Sequence, residues 1–350
     1  MTNHMYKLNS FALALLFSLG LVACGGGGGG GTTTPSGSVL PEVPVSIPAS
    51  TYLAGSAELG GWNVLQRARV LCGFGALTQN TQLDAAALSH ARYLNSISLA
   101  SGTSILSHYE TVTTDPYYTG YYPWDRTTYW GYGNQVAEII EATSWTYSSG
   151  YTSPLQQRGA DSMLTLLNTV YHLIGGMYDG ADVGFGADLQ TVARGVYWHE
   201  EYRFGSLNGY QNSARRIKLG AGNLATYPCQ GSTGIPTVFV PANESPNPFP
   251  AMTSTSQTVG PPIYLKVDAG QVLNVTSSSI TQGGVRVPTT VLTNANDPNL
   301  DSYGQPYIRT NEAFVVPTSA LNPSSTYQVS LSGTINGAPF TRSFAMSTGQ

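Results

Sequence analysis

Ser107-His108-Tyr109-Glu110-Thr111 is the stretch on which the reading of this chain turns. Two later segments are expected to face it, Ala137-Glu138-Ile139-Ile140 and Tyr171-His172-Leu173-Ile174. Together they supply two imidazoles and at least one carboxylate. In a chain with five histidines and 10% charged residues, a trio so far apart in sequence converges only through the fold. Two neutral imidazoles ligate Zn²⁺ at about 2.0–2.1 Å, and a carboxylate adds a third ligand or a base for a bound water. Zinc or another divalent metal is therefore the cofactor to test at His108, Glu138 and His172. The alternative is a hydrogen-bonded His–Glu–His cluster that organises a wall with neither metal nor turnover.

Outward from this stretch, the flanking segments carry helical periods. Trp62 to Leu71 has apolar residues at 64/65, 68 and 71 with Gly73 following, the period and C-terminal glycine of a short helix. A second helix is expected from Thr81, with Thr81 and Asp84 as a capping-box-like pair and Leu83, Ala86, Ala87, Ala91 and Leu94 as its stripe. His90 falls on the packed side of that helix. Pro154 to Val170 reads as a third helix. Pro116 to Tyr132, crowded with tyrosine and tryptophan among glycines and prolines, reads as a loop whose aromatics pack on their own domain or stack on sugar rings or acyl chains. Ala181 to Gly186 and Ala193 to Phe204 read as strands, and His199-Glu200 as a solvated strand face, since Arg203 stands where a zincin needs its second His.

Beyond residue 205 the character changes. Residues 206–261 are turn-rich and read as an interdomain linker. Residues 262–350 hold short β-type runs, with Asn336-Gly337 as a type I′ hairpin turn, and argue for a small all-β sandwich. Leu321-Asn322-Pro323 through Tyr327-Gln328-Val329 resembles the ending of bacterial Ig-like domains, where the tyrosine binds backbone.

The 350 residues carry a net charge of −4 and no Lys/Arg cluster, which argues against nucleic-acid partners. Lys7 followed by the apolar run Phe11 to Phe17 reads as a signal peptide over residues 1–23, and Leu21-Val22-Ala23-Cys24 resembles a bacterial lipobox. Cys24 would then be lipidated, the protein exported and anchored to the outer membrane or cell surface, with residues 24–54 as a flexible Gly/Thr/Pro/Ser-rich tether. Cys72 and Cys229 remain. An even pair in an exported chain favours one disulfide, against two buried thiols.

Several ordered segments resemble the CAP superfamily, the SCP-like domain of cysteine-rich secretory, antigen 5 and pathogenesis-related proteins. Asn63 to Arg69 resembles its opening N-x-x-R helix, Asn80 to Tyr93 its alanine-rich second helix, and Ser107-His108 the segment with the first cavity histidine. Asp125-Arg126 with Gly131-Tyr132, Glu138, His172 and Asp182-Val183-Gly184-Phe185-Gly186 follow in the family's order. Ala137-Glu138-Ile139 replaces the family's Gly-Glu-Asn, and Leu173 its Arg. The resemblance implies an α+β chain, an α-β-α sandwich over residues 55–205, and His108, Glu138 and His172 in one cavity. Together with the lipobox at Cys24, it implies a membrane-anchored binding or interaction module for a lipid, glycan or protein. The alternative is a metal-dependent hydrolase acting on peptide or cell-envelope polymer.

Overall fold

A computed structural model describes residues 44–148 and 153–350. Cys24, the signal segment and most of the tether lie outside the described residues. The described chain mixes helices and several sheets. No helix in it is long and apolar enough to cross a membrane.

Helix α1 (Ala57–Leu71) starts where the Ser56 hydroxyl accepts the Leu59 N–H at 3.2 Å. Helix α2 (Thr81–Ser101) is capped by Asn80 rather than Thr81, its side-chain oxygen accepting from Gln82 and Leu83 N–H. Asp84 is spent elsewhere, accepting from the Tyr52 hydroxyl and the Phe185 N–H. Helix α3 (Pro123–Tyr129) lies inside the expected tyrosine-rich loop. Pro123 presets its first φ, and the Asp125 carboxylate accepts the Tyr122 N–H. The expected third helix, Pro154 to Val170, is α4 (Leu155–Leu166), which ends four residues early, and a separate short helix α5 (Tyr171–Gly176) follows it.

Strands β1 (Thr78–Gln79), β2 (Val136–Tyr147), β3 (Asp182–Arg194) and β4 (Tyr197–Gly209) form a sheet of order β1-β3-β4-β2, antiparallel apart from β1 with β3. Alternation along Asp182–Gly186 of β3 and Glu200–Gly209 of β4 sends their side chains to two covered faces. A Cβ on Gly184 or Gly186 would strike the α2 backbone at 2.2 or 2.1 Å, so α2 lies directly on that face. Phe185 and Phe204 point the other way, under Gly61 of α1. Helices α1 and α4 touch backbone to backbone, with Gly60 facing the Gln156 carbonyl and Gly159 that of Ala57. The result is a three-layer α-β-α arrangement.

Covering both faces overturns the expected solvated strand face at His199-Glu200. Glu200 is buried and accepts from the Arg158 guanidinium at 2.9 Å and the Tyr147 hydroxyl at 2.8 Å. Glu201 is buried between His199 and Arg203.

Residues 206–261, expected as a linker, complete β4 and then supply β5 (Ala225–Tyr227) and β6 (Ser232–Ile235). Seven further strands follow: β7 (Ile263–Lys266), β8 (Leu273–Gln282), β9 (Val285–Val287), β10 (Thr289–Thr293), β11 (Glu312–Pro317), β12 (Thr326–Ile335) and β13 (Ala338–Thr348). They build two sheets, β10-β11-β7-β5 and β6-β13-β12-β8-β9. The linker strands thus sit at an edge of each sheet. Asn336 and Gly337 both take positive φ at the β12–β13 turn, as their pairing predicts. Tyr327 accepts the Asn322 N–H at 2.7 Å, the expected backbone tie.

Strands β7 and β11 are buried throughout because they separate two cores. Ile263, Leu265 and Val315 pack against Val329, Leu331 and Phe344 of the second β-sheet. Their neighbours Tyr264, Phe314 and Val316 point oppositely and join Leu65, Phe74 and Phe185 in one core with the α-β-α half. Tyr264 stacks on Phe74 with centroids 6.0 Å apart and on Phe314 at 4.9 Å. A fully buried aromatic of this kind contributes on the order of 2–3 kcal/mol. The Cys72–Cys229 disulfide closes across the same boundary, between the end of α1 and the segment after β5.

Candidate functional site

The site begins with Arg126, fully buried on α3. Pro123 starts that helix inside the tyrosine-rich segment, and the guanidinium turns inward. There Nη2 donates to Glu138 Oε1 at 2.6 Å, Nη1 donates to the His108 carbonyl at 3.0 Å, and Nε lies 3.7 Å from Glu110 Oε1. One cation therefore bridges two carboxylates and fixes the backbone of the histidine between them.

Glu138 projects from β2, its side chain 3% exposed. Its second oxygen lies 2.8 Å from His108 Nδ1. Burial alone would raise the Glu138 carboxyl, but the Arg126 guanidinium and the adjacent histidines outweigh it and hold the group well below the usual carboxylate range. A carboxylate only accepts, so His108 Nδ1 is the donor in this contact and Nε2 is left to another partner. The His108 side chain is 34% exposed, the part of the cluster that meets solvent.

Behind Arg126 lies a second histidine–carboxylate pair. His90 Nδ1 is 2.9 Å from Glu110 Oε1, and its Nε2 lies 2.9 Å from the Ser107 carbonyl oxygen. Glu110 also accepts the Thr119 N–H at 2.8 Å. Burial lowers the His90 imidazolium, Arg126 lowers it further, and Glu138 and Glu110 oppose them. The packed-side reading of His90 holds, and its contacts pin the 107–110 stretch from beneath.

His172 lies on the same cleft but is tied to another partner. Its Nδ1 is 3.1 Å from Glu244 Oε1. Glu244 also accepts the Val170, Tyr171 and His172 backbone N–H groups, so a carboxylate from the expected linker caps α5 and orients the ring. The structure thus joins His108 to Glu138 directly and brings His172 to the same cavity without joining it to Glu138.

The cavity is a cleft of about 550 Å³ between the α-β-α half and the β-sheets. His108, Trp124, Glu138 and His172 line one wall. Lys266, Tyr303 and Arg309 line the other. Lys266 is buried and reaches the Met177 carbonyl, Asp179 at 2.6 Å and Glu312 at 3.8 Å. Burial would raise Asp179, but Lys266 and then Arg216 hold it below its ordinary value.

These donors do not make a zinc site. His108 and His172 each have Nδ1 on a carboxylate and keep Nε2, as zinc-bound histidines do. Glu138, however, has one oxygen on the Arg126 guanidinium and the other on His108, so both are already engaged. Among the described residues, no group of three or more His, Cys, Asp or Glu side chains could hold a metal ion.

Sequence reasoning placed His108 and Glu138 but missed the roles of Arg126, Glu110 and Glu244. Arg126 carried a signal, being a lone cation in an aromatic segment of a chain with 15 lysines and arginines. Glu244 carried none beyond its charge. No protein-family model matches the chain, and a search of curated proteins finds no similar sequence.

Proposed function

We propose that this chain is a CAP-type ligand-binding module, joined to an Ig-like sandwich and held at the outer membrane or cell surface through lipidated Cys24, with the cleft at His108 as its binding site. The ordered segments from Asn63 to Gly186 support the CAP reading, and the three-layer arrangement is consistent with it. The two packed sheets and the Tyr327 tie support the Ig-like reading. The observation that carries the function is the His108–Glu138 contact at 2.8 Å on the wall of a cleft of about 550 Å³. Small-molecule sites span roughly 300–1,000 Å³ and combine apolar walls with a few fixed polar groups. Arg126 and Glu138 fix the His108 ring before any ligand arrives, which lowers the ordering cost of binding.

The metal-dependent hydrolase reading draws no support from the donor set. The binding reading is tested by filling the cleft at Ala137, which lines it beside Glu138. Extraction and mass spectrometry of natively purified protein should recover a bound molecule from wild type that is missing from a folded Ala137→Trp variant. Equal recovery from both would reject the cleft as the binding site.

A further inference from the structure

The cleft walls combine exposed aromatic faces with ion pairs already closed on themselves. Trp124 has one face stacked on Tyr122 at 4.5 Å between centroids. Tyr109 is stacked on Tyr121 at 5.3 Å and meets Tyr122 edge-on at 5.7 Å. These contacts hold two aromatic rings rigid on one wall while leaving Tyr109 41% exposed. Across the cleft, Tyr303 is 76% exposed, on a turn held by the Asp301 carboxylate, which accepts the Tyr303 and Gln305 N–H groups.

The charges at the cleft are matched. Arg309 donates to Asp301 at 2.5 Å, Lys266 sits between Asp179 and Glu312, Arg216 pairs with Asp179, and Arg126 with Glu138. None of these cations is spare for a phosphate or a uronic acid. A hydrocarbon chain would cover the Asp301–Arg309 pair and the tyrosine hydroxyls without replacing their hydration, which costs free energy. A neutral sugar does neither. Its axial C–H groups lie on aromatic faces, and its vicinal hydroxyls bridge carboxylate–guanidinium pairs and an imidazole nitrogen, replacing lost water with hydrogen bonds.

We propose that the cleft binds a neutral oligosaccharide, with Tyr109, Trp124 and Tyr303 stacking on sugar faces and Asp301–Arg309 and His108 Nε2 engaging its hydroxyls. This rests on the cleft being a binding site and names the ligand class.

The test uses the full protein and intrinsic tryptophan fluorescence with calorimetry. The probes are neutral hexasaccharides of glucose, galactose and N-acetylglucosamine, beside oleate and a mixed decapeptide pool. At least one hexasaccharide should bind, and Trp124→Ala and Tyr303→Ala should each weaken it at least tenfold. Thermal unfolding of Tyr303→Ala should match wild type, because that ring is mostly in solvent. Saccharide binding unchanged in both variants overturns the proposal. Oleate or peptide binding that is lost in Trp124→Ala, with no hexasaccharide bound, overturns the saccharide and leaves the binding reading standing. Silence from every probe class, with nothing extracted from native protein, overturns both.

Discussion

At the scale of single residues, the acid limb of stability follows from His90 and Glu138. Both are shifted downward in the folded state, His90 chiefly by burial and Glu138 by Arg126 and the histidines overcoming burial. A group with a depressed folded pKa contributes stability above its unfolded value and loses it as pH falls toward the folded one. His90 should therefore begin to destabilise the protein below about pH 6.5, and Glu138 below about pH 4.3, the ordinary values for these side chains. Denaturant unfolding measured from pH 8 to pH 3 should show stability falling in both windows. His90→Gln should flatten the upper window and Glu138→Gln the lower; equal slopes in wild type and variants would contradict this assignment. The pairing of His108 with Glu138 was legible in the sequence because few ionisable groups compete in that half of the chain. The Arg126 bridge was not, since it depends on a short helix inside a segment whose aromatic, Gly- and Pro-rich composition reads as loop. Glu244 lay hidden for the same reason: nothing local shows that it caps a helix 72 residues earlier.

At the scale of elements, α1 and α4 pack backbone against backbone. A Cβ on Gly159 would lie 1.9 Å from the Ala57 carbonyl oxygen, and one on Gly60 2.0 Å from that of Gln156. Both obstacles are backbone, so the helices themselves must separate. Gly159→Ala should cost about 3 kcal/mol, the upper part of the overpacking range, despite alanine's better helix propensity. Urea unfolding checks this, and a neutral or stabilising result would show that α4 slides freely. The helical periods of α1 and α2 were readable because each has one buried stripe, although α1 starts five residues before Trp62 and its Leu71, expected on the stripe, is 50% exposed. The β3–β4 hairpin misled because alternation marks two faces without saying that both are covered. Glu200, Glu201 and Arg203 look like a solvated strand face in sequence and become buried ion pairs once α2 and α4 close over the sheet. The break between α4 and α5 was masked by an apolar stripe running on through Leu167 and Val170.

At the scale of the whole described molecule, the halves expected as separate domains share a core. Tyr264 and Phe314 face Phe74, Lys266 reaches the Met177 carbonyl, and Cys72 is bonded to Cys229. Unfolding should therefore be a single calorimetric transition whose van't Hoff and calorimetric enthalpies agree. Two resolved transitions, one per half, would contradict the shared core. A composition shift near residue 206 cannot reveal this, because β7 and β11 owe their unbroken apolar runs to having two buried faces. The same core governs how a ligand arrives. Both walls of the cleft are anchored in one packed body, so neither can swing away as a hinged jaw does. Entry is then a collision with a standing surface: the observed association rate should climb in proportion to ligand concentration with no plateau, and selectivity among ligands should reside in residence time.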